Sequence, residues 1–183
     1  MDIVLSAAGL LLLAPVLLLA AVAVALDSAG PVLFRQTRLG LHGHEFGIFK
    51  FRSMGYSPPG AADAGPYFTV ANDPRITRIG HFLRRSSIDE LPQLFNVLMG
   101  DMSLVGPRPD LPAQRSGYAP ADWATRCSVR PGITGLAQAQ LRSQATPAER
   151  LALDLQYARK RSLLLDAKIM LWTLQRAGGK GAN

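Results

Sequence analysis

The sequence predicts an α/β domain that is mostly helical, entered through an apolar membrane helix and built around a small β element. Three observations carry that expectation. Residues Ile3 to Leu26 run for 24 positions without a charge. Val32-Leu33-Phe34 and Phe46 to Phe51 read as two short strands around a Gly- and His-containing turn, Gly40 to Gly47. Downstream, apolar residues recur at helical spacing at Leu91, Leu94, Phe95 and Leu98, and again from Leu163 to Leu174. The expected boundaries are a membrane helix at 1–29, a globular domain at 30–177 and a flexible tail at 178–183.

The opening stretch, as one straight helix, would be about 36 Å long and could cross a hydrocarbon core of about 30 Å. Asp2 stands where a cleaved leader would carry a basic n-region, which argues against a signal peptide. Pro15 falls near the middle, where it removes a helical hydrogen bond and crowds the preceding turn. Two half-helices of about 18 Å each would dip into the bilayer and return to the same face. A spanning helix also tolerates Pro when neighbouring groups re-satisfy the freed backbone, so the stretch by itself admits both courses.

Gly30-Pro31 ends that segment. In Ile48-Phe49-Lys50-Phe51-Arg52 the alternation places Lys50 and Arg52 on one face, either a solvated strand face or the cationic wall of a site. His42 and His44 read as turn residues, having no partner cluster at metal-ligand spacing. Tyr56 to Gly65, rich in Pro, Gly and Ala, reads as a mobile loop with the makings of a lid. Arg75 to Arg84 forms a basic amphipathic segment in which Ile76, Ile79 and Leu83 share a side. It suits a helix resting on anionic headgroups, or a solvated surface helix.

Residues Arg84 to Pro109 hold the residues with the most chemistry. Asp89 and Glu90 follow Arg84 and Arg85, and after one apolar helix the chain returns Arg108, held between Pro107 and Pro109. Ser87-Ile88-Asp89-Glu90 fits a capping box, with Ser87 as the N-cap; Pro92 sits better if Asp89 is the N-cap. Either way the dyad is expected at a helix start, whose free N–H groups favour anions and lower carboxylate pKa. The same pair could serve as a hard ligand set for Mg²⁺, with Asp89 as a nucleophile of the aspartyl-phosphate type. Two prolines preorganise Arg108 for bidentate phosphate recognition, against the competing reading of a structural salt bridge to Asp89, Glu90 or Asp101.

Leu111 to Arg126 reads as a polar linker with a short helix around Asp122 to Arg126. Arg130-Pro-Gly-Ile-Thr-Gly135 is a tight turn offering N–H groups beside a cation, a geometry that can cradle phosphate. Thr146-Pro147-Ala148-Glu149 opens a helix expected to end near Arg159 to Arg161. The apolar segment Leu163 to Leu174, at about 18 Å, is too short to span a bilayer, and its Trp172 fits either interfacial docking or core packing.

Composition narrows the partners. Twenty Lys and Arg against thirteen Asp and Glu give a net charge of +7, which favours a nucleotide, an anionic membrane surface or nucleic acid. Nucleic acid explains the charge but neither the apolar start nor the acidic dyad. Cys127 is the only cysteine, which excludes an internal disulfide and fits a reduced compartment.

The run Arg84-Arg-Ser-Ser-Ile-Asp-Glu-Leu-Pro-Gln-Leu-Phe-Asn-Val-Leu-Met-Gly-Asp-Met-Ser-Leu-Val-Gly-Pro-Arg-Pro109 resembles the signature of the bacterial sugar transferases, the small monotopic phosphoglycosyl transferases. The resemblance continues through Pro31 to Gly40, Phe49 to Met54, Arg130 to Gln138 and Ser162 to Met170, covering nearly the whole chain. It implies a re-entrant helix broken at a Ser-Pro pair and a catalytic domain, residues 30–177, on the cytoplasmic face of the bacterial inner membrane. Here the pair is Ala14-Pro15. The basic residues that usually precede the helix are absent, which leaves orientation to Arg35, Arg38, Lys50 and Arg52 behind it. The resemblance further implies transfer of a sugar phosphate from a nucleoside diphosphate sugar, usually a UDP-sugar, to polyprenol phosphate. In that scheme Asp89 forms an aspartyl phospho-sugar, Asp89 and Glu90 bind Mg²⁺, Glu90 serves catalysis through the metal or through proton handling, and Lys50, Arg84, Arg108 and Arg130 neutralise phosphates. Leu136 replaces the family's usual Trp and no Asn-Gly-Arg follows Gln138, so the sugar does not carry over. Membrane lipids are expected partners, with a homo-oligomer left open. The rival from another class is a non-catalytic membrane adaptor that binds anionic headgroups.

Overall fold

The computed structural model describes residues 1–56, 73–141 and 146–178. The opening run forms one helix, α1 (Asp2–Asp27), with Pro15 inside it. It is long and apolar enough to cross a membrane. Leu11 and Leu12 are each 80% exposed, a large apolar surface that hydrocarbon, not water, would accommodate. The opposite face packs onto the protein. Ser6 is fully buried, and Ala20 and Val24 join Phe51 and Leu83 in a buried cluster flanked by Leu17, Ile79 and Ile88.

A hairpin follows: β1 (Leu33–Leu39) runs antiparallel to β2 (Glu45–Phe51), with Leu33 opposite Phe51 and Leu39 opposite Glu45. A 3₁₀ turn, Leu41–Gly43, joins them, with His42 in the left-handed region at φ 54°. β1 extends well past the expected Phe34, because Arg35 to Arg38 pair across the hairpin despite their polarity. The expectation that Arg52 shares a face with Lys50 is corrected, since the strand ends at Phe51. Arg52 is buried and turns to the end of α1. Its Nη2 donates to Ser28 O at 2.5 Å and Val24 O at 3.3 Å, and its Nη1 to Ala29 O at 3.0 Å. These are carbonyls that a helix C-terminus leaves unpaired, and the cation also meets the negative end of the helix dipole.

The basic segment becomes α2 (Arg78–Ser86), capped by Thr77, whose Oγ1 accepts from Gly80 N at 3.0 Å. A Cβ on Gly80 would strike the Ser53 carbonyl, so the glycine is what lets α2 lie against the end of β2. The next helix, α3 (Gln93–Met99), splits the expected apolar stripe between an inward and an outward face. Leu94 and Val97 face inward with Gln93 and Asn96, whereas Phe95 and Met99 are exposed. The inward polar residue has a purpose. Asn96 Oδ1 accepts from Phe49 N at 2.9 Å and its Nδ2 donates to Gly47 O at 2.8 Å, tying α3 to the unpaired edge of β2.

A second, two-stranded parallel sheet pairs β3 (Ser103–Val105) with β4 (Gly132–Thr134). Side chains at Gly106 or Gly132 would collide with each other's backbone, so the two segments close only with glycine there. The expected linker Leu111 to Arg126 is largely structured: a 3₁₀ helix, Pro112–Gly117, precedes α4 (Pro120–Arg126), and Arg126 is buried. Then come α5 (Leu136–Gln140), α6 (Pro147–Lys160) and α7 (Leu163–Gly178). The Thr146 capping box forms as the sequence predicts, with Glu149 N donating to Thr146 Oγ1 at 3.2 Å and Thr146 N to Glu149 Oε2 at 2.8 Å. Val105, Val129, Leu136, Ala139, Tyr157 and Ile169 make the core beneath these helices, and Trp172 packs against it. The outer face of α7 leaves Leu163, Leu164, Leu171 and Leu174 exposed. The loop expected from Tyr56 to Gly65 lies, beyond Tyr56, outside the described residues, as does the tail beyond Gly178.

Candidate active site

Asp89 and Glu90 sit in a 3₁₀ turn, Ile88–Glu90, between α2 and α3. Neither reading of the dyad as a helix cap survives. Ser87 closes α2 in the left-handed conformation at φ 57° and its side chain makes no cap bond; the residue before α3 is Pro92, whose missing N–H costs nothing there. Freed from capping, the two carboxylates meet three basic residues from different parts of the chain, Lys50, Arg84 and Arg108.

Glu90 takes the direct contacts. Lys50 Nζ, from β2, donates to Glu90 Oε1 at 2.6 Å, and Arg108 Nη2 donates to the same oxygen at 3.0 Å. Burial alone would raise the Glu90 pKa, but Arg108 and Lys50 overcome it and hold the group at about 2. Lys50 is itself lowered, chiefly by burial, with Glu90 working against that shift. Arg108 is raised by Glu90. The salt bridge weighed against phosphate binding for Arg108 is therefore present in the resting site.

Asp89 is buried, with 8% of its surface exposed, and makes none of these ion pairs. Its pKa is raised, first by burial and then by the neighbouring Glu90, against the attraction of Lys50, Arg84 and Arg108. This reverses the lowering expected from a helix start, because the turn buries the group without giving it a dipole to face. Arg84 reaches the site from the last turn of α2, where its Nε donates to Ser53 Oγ at 2.8 Å. Two adjacent carboxylates are thus driven apart in acidity, the pattern that separates roles at catalytic dyads.

Five of the six expected residues, Lys50, Arg84, Asp89, Glu90 and Arg108, come together here. Arg130 lines a separate cavity with Asp2, Tyr157, Arg161 and Asp166. Two residues that support the site carried no signal in the sequence. Asn96 fixes the edge of the strand bearing Lys50. Arg126 donates from Nη2 to Arg108 O at 2.6 Å, pairs through Nη1 with Asp110 at 2.5 Å and through Nε with Asp154 at 3.0 Å, so a buried guanidinium anchors the Pro107-Arg108-Pro109 loop. An arginine in the last turn of a short helix reads equally well as a solvated C-terminal charge.

Known proteins resemble this chain over nearly its whole length. The undecaprenyl-phosphate glucose phosphotransferase of Komagataeibacter xylinus is 49% identical over 185 residues, which cover 96% of this chain and 34% of that protein. The UDP-glucose:undecaprenyl-phosphate glucose-1-phosphate transferase of Caulobacter vibrioides is 48% identical over 183 residues, covering 95% and 67% respectively. Exopolysaccharide production protein PSS of Rhizobium leguminosarum bv. phaseoli is 45% identical over 194 residues, covering 98% and 95%. The chain thus spans about a third of the length of the first of these relatives and nearly all of the third. The sequence model of the bacterial sugar transferases matches residues 1–179, and the chain belongs to that family.

Proposed function

We propose that this chain transfers a sugar 1-phosphate from a UDP-sugar to polyprenol phosphate through a covalent intermediate on Asp89. The observation that carries the proposal is a buried Asp89 that makes no ion pair among the described residues, beside an ion-paired Glu90. Desolvation and a neighbouring anion raise the basicity of the Asp89 oxygen, and with it its nucleophilicity, while Glu90 stays ionised. In the first half-reaction an Asp89 oxygen bonds to the β-phosphorus, the bond from that phosphorus to the bridging oxygen breaks, and UMP leaves with the electron pair. In the second, an oxygen of the lipid phosphate attacks the same phosphorus and returns the carboxylate of Asp89, giving a polyprenyl diphospho-sugar. Lys50, Arg84 and Arg108 surround the dyad with positive charge suited to the diphosphate, and Arg108 is more than half exposed, free to swing from Glu90 onto a phosphate.

Mg²⁺ fits the donor set. Both contacts to Glu90 fall on Oε1, so Oε2 and the Asp89 carboxylate remain as hard oxygen ligands. Mg²⁺ commonly takes one or two carboxylates and completes its shell with water and substrate phosphate. Bound there, it would offset the repulsion between an anionic nucleophile and an anionic donor.

The reading places α1 in one leaflet, with the catalytic body on the cytoplasmic face of the bacterial inner membrane. Its support is that α1 is packed on the same body near both ends, through Ser6 and Asp2 at one and Ala20 and Val24 at the other. A helix crossing about 30 Å of hydrocarbon would carry that charged body into the bilayer with it. The test is the mass of the intact protein mixed with Mg²⁺ and a UDP-sugar: the parent gains a sugar phosphate and releases UMP, and Asp89→Asn does neither. UMP release by the folded Asp89→Asn protein would remove the nucleophile. No UMP from any donor, with lipid binding intact, would favour an adaptor.

A further inference from the structure

A cavity of about 320 Å³ lies apart from the dyad, walled by Asp2, Arg130, Tyr157, Arg161, Ser162 and Asp166. Arg130 is the one expected phosphate ligand that the dyad does not gather, and here it faces a second guanidinium and two carboxylates. The charges balance. Tyr157 donates to Asp166 Oδ1 at 2.8 Å, which orients one carboxylate, and Ser162 Oγ accepts from Leu165 N at 3.2 Å at the start of α7. A doubly charged phosphate monoester would meet Asp2 and Asp166 as well as the arginines, whereas a zwitterion satisfies both signs at once.

The position of the cavity supplies the second half of the argument. Its walls come from the first residue of α1 and from the segment that opens α7. The residues that continue these walls are apolar and exposed: Ile3 and Val4 on one side, Leu163 and Leu164 on the other. A polar pocket bordered by two exposed apolar helix starts matches an amphiphile, its headgroup inside and its chains along the leucines.

We propose that this cavity holds the headgroup of a zwitterionic phospholipid with a primary ammonium, its phosphodiester on Arg130 and Arg161 and its ammonium on Asp2 and Asp166. The site would fasten the start of α1 to α7 at the membrane surface. It rests on the membrane seating proposed above and not on the transfer chemistry, so its failure would leave Asp89 untouched.

The test uses the full chain in detergent, equilibrated with equal parts of phosphatidylethanolamine, phosphatidylcholine and phosphatidylglycerol and read by native mass spectrometry. Phosphatidylcholine has the same phosphodiester but no N–H to donate, and phosphatidylglycerol has no ammonium. Phosphatidylethanolamine should be retained over phosphatidylcholine by on the order of tenfold, the net worth of charge-assisted hydrogen bonds to a carboxylate. Asp166→Asn should erase that preference and leave phosphatidylglycerol bound at least as well; Arg161→Gln should weaken retention of all three lipids. Circular dichroism melts would confirm that both variants fold. Equal retention of the two zwitterionic lipids by the parent, or an undiminished preference in Asp166→Asn, would overturn the proposal.

Discussion

Arg126 donates from Nη2 to the main-chain oxygen of Arg108 at 2.6 Å, so a buried guanidinium determines where an exposed one begins. Pro107 and Pro109 stiffen the loop, but stiffness alone sets no position. Arg126 provides that by holding Asp110 and Asp154 with its other nitrogens, and Arg38 Nη1 adds a bond to Pro109 O at 3.1 Å. Arg126→Ala would leave two buried carboxylates without their cation, and unfolding by urea should show a loss of roughly 3–5 kcal/mol. Arg126→Lys keeps the charge but lacks the planar fork that spans three acceptors. Its UMP release should fall in the parent background and show little further loss in an Arg108→Ala background, while its stability deficit persists in both. Equal activity losses in the two backgrounds would show that Arg126 does not act through Arg108.

The split acidity of the dyad predicts the pH profile. Glu90, held at about 2, stays ionised throughout the range in which Asp89, raised from its ordinary value, takes up a proton. The acid limb of adduct formation should therefore report Asp89. Glu90→Gln removes an anion that raises the Asp89 pKa and releases Lys50 and Arg108, which lower it. Both effects have the same sign, so the limb should move to lower pH even as the rate falls. A limb that moved upward would assign it to another group. The stability that Glu90 draws from Lys50 and Arg108 is, by the same signs, present above its unfolded pKa near 4.5 and lost as pH falls toward 2.

Much of this was legible in the residues. The uncharged run gave α1, Thr146 and Glu149 gave the start of α6, and the basic neighbours of Asp89 and Glu90 marked the charged cluster that makes the candidate site. What sequence reading misjudged were positions where a local rule competed with long-range geometry. Ser87-x-x-Glu90 satisfies the capping rule, yet closure of α2 turns Ser87 left-handed and leaves the dyad in a tighter turn. The Leu91, Leu94, Phe95, Leu98 stripe satisfies helical periodicity. Even so, α3 rotates its Gln93 and Asn96 inward, because the edge of β2 needs a donor and an acceptor more than it needs another leucine. Arg52 follows Lys50 at strand spacing, but the strand has already ended. For Asn96 and Arg52 the deciding partners are tens of residues away, and no window of the sequence contains them. For Ser87 the closing carbonyls of Leu83 and Arg84 are near in sequence, but they favour the end of α2 over the start of the next helix.

Asn96 is the clearest case, and its removal should be felt at Lys50. Asn96→Ala leaves Phe49 N and Gly47 O on the inner edge of β2 without partners, a cost of about 1–3 kcal/mol for each buried group stranded. Asn96→Asp restores only the acceptor and sets a second carboxylate near Asp101, to which Asn96 Nδ2 donates at 3.3 Å. Thermal unfolding should rank the parent above both variants. Backbone amide exchange at Phe49 should rise in Asn96→Ala and stay closer to the parent in Asn96→Asp, since only the alanine lacks an acceptor. Unchanged exchange in both would mean that the edge of β2 is held by other contacts.

The seat of α1 depends on Arg52 in a way that separates anchoring from chemistry. Its guanidinium collects the carbonyls of Val24, Ser28 and Ala29, and a side chain on Gly30, at φ 119°, would collide with it. The cation is therefore built into the bend where the chain leaves α1 for β1. Arg52→Ala strands these carbonyls at a helix end and removes the charge that opposes the helix dipole, a loss of about 1–3 kcal/mol. Hydrogen exchange should accelerate at residues 24–30, while exchange at 88–96 stays near that of the parent. Arg52 contacts neither Asp89 nor Glu90 among its hydrogen-bond partners. A short-chain, detergent-soluble acceptor should accordingly restore most of the variant's turnover, whereas a long-chain acceptor in a bilayer should not, because only the latter requires the helix and the body to be held in register. Equal defects with both acceptors would place Arg52 within the catalytic machinery instead.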